Sequence, residues 1–144
     1  MKRILVAVDG SAIGLAAVRA AAKLAVERSI PSITLINVIP TVASTMGVTL
    51  LSAPPSDIEA WEVFAQPKAI LTEAGIGYQL LLALGDPADE IIRAARDHGF
   101  DLVVVGHRVL SPVKAFLMGS VSNRIVSNAP CSVLVVRPNG DVRD

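Results

Sequence analysis

Asp101-Leu102-Val103-Val104-Val105-Gly106-His107-Arg108-Val109 is followed, after nine residues, by Gly119-Ser120-Val121-Ser122-Asn123-Arg124-Ile125-Val126. An unbroken apolar run without polar alternation reads as a strand covered on both faces, as in a parallel sheet with helices on either side. The second stretch has helical spacing over Gly119–Asn128, which leaves residues 107–118 as loop. A strand, a loop and a helix that opens on Gly-Ser make an anion pocket. The first helical turn offers backbone N–H groups without intrahelical partners and the positive end of the helix dipole. Gly119 lets a phosphate approach the backbone, and Ser120 adds a hydroxyl donor.

The same alternation extends along the chain. Strand runs are read at Arg3–Val8, Ser32–Val38, Tyr78–Leu84, Asp101–Val105 and Ser132–Val136. Helical patterns lie between them. Ala12–Arg28 is Ala-rich with Ser11 at its N-cap, and a helix over Asp57–Glu73 is split near Pro67 and closed by Gly75. Gly85-Asp86-Pro87 opens a helix with Asp86 at N-cap, Pro87 at N1 and Asp89 at N3, and Gly99 ends it. Strands joined by helical crossovers give a parallel α/β sheet with helices on both faces. Its ligand site lies at the C-terminal strand ends, where strand order reverses. Asp9 and Gly106 fall there. Residues 39–57, with Pro40, Pro54 and Pro55, show no period and are expected to form a loop or lid.

At 144 residues the whole chain, 1–144, is read as one domain. Thirteen basic residues balance thirteen acidic ones, which removes the electrostatic case for nucleic-acid binding and leaves little repulsion against self-association. One cysteine, Cys131, forms no internal disulfide, so a reducing cytoplasm is expected. The apolar run after Lys2-Arg3 ends at Asp9, too short for a signal peptide, and Arg19 and Lys23 interrupt the longest apolar stretch, so no membrane association is expected.

Several kinds of chemistry are excluded. There is no Gly-Lys-Ser/Thr phosphate loop, no Gly-x-Ser-x-Gly elbow and no metal pattern around His98 or His107. No nucleophile, base and orienting group assemble, so no catalytic residue is named and a non-enzymatic role is expected.

The loop 106–120 resembles the nucleotide loop of the universal stress protein family, Gly-x-x-Gly-x9-Gly-Ser/Thr. Ile4-Leu-Val-Ala-Val-Asp-Gly-Ser11, Asn37-Val38-Ile39, Gly85-Asp86-Pro87 and Ala129-Pro-Cys-Ser-Val-Leu-Val-Val136 are similar to other parts of that family. The resemblance implies a Rossmann-like three-layer sandwich around a five-stranded parallel sheet of order 3-2-1-4-5. It implies a stress-response regulator that binds adenine nucleotide, ATP or AMP, with Mg when ATP. Asp9 would contact the nucleoside and the backbone at Val38 the adenine. Gly106 and Val109 of the loop, with Gly119, Ser120, Val121 and Ser122 at the helix start, would hold ribose and phosphates. Position 109 is Val where the family has Gly. If that position needs positive φ, the β-branched side chain costs about 1–3 kcal/mol, and Pro112 removes an N–H from the cradle.

Partners also follow. Ser132–Val136 is apolar and carries no Lys or Pro to guard an edge, so it is expected to pair with its copy in a homodimer. The signal would then pass to an unknown protein partner. The alternatives are a dimeric interaction module of the same family without nucleotide, and a slow ATPase.

Overall fold

Each apolar run becomes a strand and each amphipathic run a helix in the computed structural model, which describes residues 2–44, 47–50, 54–107 and 120–137, with backbone only at 42–44, 48–50 and 120. In chain order these are β1 (Ile4–Ala7), α1 (Ala12–Arg28), β2 (Ser32–Ser44), β3 (Gly47–Leu50), two 3-10 turns (Ile58–Ala60 and Glu62–Phe64) and α2 (Ala65–Glu73). Then come β4 (Gly77–Gly85), α3 (Pro87–Asp97), β5 (Leu102–Gly106), α4 (Ser120–Asn128) and β6 (Ser132–Val136). The parallel strands lie in the order β4-β2-β1-β5-β6. Numbered by themselves, these five strands have the expected 3-2-1-4-5 order of a Rossmann-like sheet.

Side chains alternate across the pleat and build two cores. Ile4, Val6, Ile33, Leu35, Leu102 and Val104 face α1 and α2. Leu5, Ile36, Val38, Val103 and Val105 face α3 and α4. Each buried aliphatic side chain contributes about 1.5–3 kcal/mol. Alanines 16, 17, 21, 22 and 25 are buried on α1. Their small size lets this helix lie close on the sheet.

Helices α1, α2 and α3 end in the same way. A residue with positive φ follows the last turn: Ser29 (58°), Gly75 (76°) and Gly99 (66°). The next amide closes back onto the helix: Ile30 N to Ala25 O at 2.8 Å, Ile76 N to Leu71 O at 2.8 Å, Phe100 N to Ala95 O at 3.0 Å. Ile30, Ile76 and Phe100 are themselves buried. At α3's other end Asp86 caps as expected, its carboxylate accepting from Asp89 N at 3.0 Å.

Two expectations change. Residues 39–57 contain regular structure: β2 runs on through Pro40 to Ser44 and pairs antiparallel with β3, Thr41 opposite Leu50 and Ser44 opposite Gly47. Pro40 ends the pairing with β4, opposite Gly85, so its missing N–H falls where β2 changes partner. Thr41, Val42, Val48 and Thr49 are good strand formers. Pro67 does not split a helix either. It sits in the first turn of α2, where an N–H has no helical acceptor, and the two 3-10 turns take up the segment after Asp57.

No helix among the described residues is long and apolar enough to cross a membrane.

Ser29 is the one non-glycine residue with positive φ among those described. Ser29→Gly removes the Cβ penalty of the left-handed conformation and should stabilise the protein by about 0.5–1 kcal/mol, read as a higher urea midpoint at unchanged slope.

Candidate functional site

Strand order reverses at β1, which has β2 on one side and β5 on the other. A cavity of about 530 Å³ opens across the C-terminal ends of these three strands. That is the size of a small-molecule pocket, at the place where open α/β sheets bind ligands.

The turn after β1 is fixed by its own side chains. Asp9 Oδ1 accepts from the backbone N–H of Ser11 at 3.0 Å and from the Ser11 hydroxyl. Ser11 Oγ accepts from Gly14 N at 3.2 Å and so caps α1. Asp9 is therefore both a turn residue and part of the cavity wall.

On the β2 side, Asn37 is buried. Its amide donates to Val8 O at 2.8 Å, and its carbonyl oxygen accepts from the indole N–H of Trp61 at 2.8 Å. Both Asn37 and Trp61 line the cavity, beside Val38, Ile39 and Pro40.

On the β5 side lies Gly106. A Cβ there would come within 2.6 Å of Ile13 Cγ1 and 3.0 Å of Ile13 O in the first turn of α1. Close packing of α1 against β5 thus requires the glycine, whatever a ligand requires. From α4, Val121 and the buried Ser122 reach the cavity. Ile125 anchors that helix in the core. Arg124 ties it to α3, donating to Asp86 Oδ2 at 2.9 Å and to Asp89 Oδ1. The hydrogen bond and charge of Asp86, with the charge of Asp89, raise the guanidinium pKa further.

Five of the expected site residues are thus brought together: Asp9, Val38, Gly106, Val121 and Ser122. Ser120 begins α4, and its backbone alone is described. Val109 and Gly119 lie outside the described residues. Sequence reasoning missed Trp61 and the bridging role of Asn37. The available signal was an amide at the end of an otherwise apolar strand.

The model of the universal stress protein family matches residues 1–137. The chain belongs to the universal stress protein family. It is 31% identical to universal stress protein YxiE of Bacillus subtilis, over 94% of this chain and 98% of that one. Among solved structures, this universal stress protein resembles a family member in complex with cAMP, with a TM-score of 0.71 and 24% identity over 94% of this chain and 95% of that one. It also resembles a universal stress protein family protein from Arabidopsis thaliana with AMP bound, with a TM-score of 0.66 and 21% identity over 100% of this chain and 97% of that one. At these identities the structural likeness establishes the fold.

Gly106→Ala separates packing from ligand approach. The added methyl should destabilise the ligand-free protein by about 1–3 kcal/mol, because backbone as well as side chain stands in its way. Thermal melting without nucleotide checks this. An unchanged midpoint would mean that α1 gives way at no cost.

Proposed function

We propose that this chain binds an adenine nucleotide, AMP or ATP, in the cavity at the ends of β2, β1 and β5, and that it acts as a non-catalytic stress-response regulator. The observation that carries the reading is the cavity itself, which joins Val38, Asp9, Gly106 and the start of α4 in one space. The ligand's phosphates would meet the first turn of α4 at the positive end of its helix dipole. Its nucleoside would lie toward Asp9 and Val38, and Mg²⁺ would accompany ATP. The cAMP and AMP complexes of similar fold support this reading. The protein would work in the cytoplasm, and occupancy would be passed to a protein partner.

Titration calorimetry with AMP and ATP tests the reading. Wild type should bind, and Ser120→Ala, which lacks one donor, should bind about five- to thirtyfold more weakly, the equivalent of about 1–2 kcal/mol. No heat with either nucleotide at millimolar concentration would favour the second reading, a dimeric interaction module without nucleotide. Val109 and Pro112 in the loop are what support that alternative.

In either case the protein would be a homodimer through β6. Among the described residues this strand pairs with β5 alone. Leu134 is 38% exposed at its centre, whereas Val133 and Val135 pack on the core behind. Leu134→Lys should therefore convert dimer to monomer in sedimentation without unfolding. A wild-type monomer at micromolar concentration would refute the dimer.

A further inference from the structure

Trp61 is the chain's single tryptophan and stands in the cavity wall. It lies between the two 3-10 turns, and that segment is held from both sides. Phe64, three residues on, is fully buried, and its N–H donates to Trp61 O at 2.9 Å. The indole N–H is held by Asn37, and Asn37 by the carbonyl of Val8 at the end of β1. The ring is therefore fixed before any ligand arrives, so little side-chain entropy remains to be lost on binding.

Its position relative to the sheet matters as much. Trp61 packs against the core on the α1 and α2 face. Ile91, also in the cavity wall, belongs to the core on the opposite face. The cavity is thus bounded at its β2 side by an aromatic surface from one layer and an aliphatic one from the other. The same cavity reaches Gly106 at the end of β5 and, from α4, Val121 and Ser122, so one ligand in it would meet both ends.

We propose that Trp61 is a specificity-determining residue, the aromatic wall for a flat heterocyclic base, with Asn37 as its positioning residue. On this account the site selects a nucleotide over the sugar phosphate that lacks a base. The inference rests on the proposed nucleotide site. Stacking on an aromatic side chain discriminates by the π-face of the base rather than by its hydrogen-bonding edge.

Two ligands, AMP and ribose 5-phosphate, test it by calorimetry and by the fluorescence of the single tryptophan. AMP should change the emission of wild type, and ribose 5-phosphate should not. Trp61→Ala should weaken AMP by about five- to hundredfold and leave ribose 5-phosphate unchanged, while Trp61→Phe restores most of the AMP affinity. If AMP binds wild type with heat but without a fluorescence change, Trp61 is no base wall, and the nucleotide site stands without it. Equal weakening of both ligands in Trp61→Ala would make the residue merely structural and overturn the inference. If neither ligand binds wild type, the inference and the nucleotide reading fall together. The wild-type fluorescence comparison keeps the test decisive should Trp61→Ala not fold.

Discussion

The first turn of α1 and the end of β5 meet where position 106 contributes no side chain. The alanine face of α1 brings the helix down onto the sheet, and the bare backbone of Gly106 lets its first turn settle beside the strand end. The Asp9–Ser11–Gly14 hydrogen bonds lie in that same turn. Ile13 both touches Gly106 and lines the cavity. Lifting α1 by the width of a methyl group would therefore move one wall of the cavity and strain the turn that carries Asp9. Packing and site geometry are one constraint here.

Polar burial is concentrated at this place. Thr34, Asn37 and Ser122 are the buried polar side chains among the described residues, and two of them line the cavity. Burial of an amide is tolerable only when its donor and acceptor are satisfied. Asn37 meets that condition by linking the end of β1 to the segment that carries Trp61. A hydrophobic residue of similar size would fill the space but leave Trp61 unlatched. At α4 the double contact of Arg124 with Asp86 and Asp89 fixes how the helix leans on α3.

The sheet was legible in the sequence because its buried strands are largely apolar runs and α1, α2 and α3 each have an identifiable cap. Ser11, Asp86, Gly75 and Gly99 act as their residue types suggest. Topology alone put Asp9 and Gly106 at the crevice, whereas Val38, Val121 and Ser122 were named through the family resemblance; all five line the cavity. The β2–β3 hairpin was not, since Pro40 reads as a breaker and no Asn-Gly or Asp-Gly marks its turn. Trp61 was missed because its role depends on a hydrogen bond to a residue 24 positions away, which no local pattern encodes. Gly106 was read as part of the loop that would hold ribose and phosphates. Its packing against Ile13 arises only once the sheet order brings β5 beneath α1.

The shared ending of α1, α2 and α3 gives the molecule a mechanical division. Each helix closes on a left-handed residue, buries the next apolar side chain and feeds a parallel strand, so one rim of the sheet is a short, uniform seam. That seam sets the starting point of β2, β4 and β5 from the side away from the cavity. Changes at the opposite rim leave these three strand starts where they are. The fold thereby sets strand alignment at one rim and ligand contacts at the other, and the two meet where α1 packs on the end of β5.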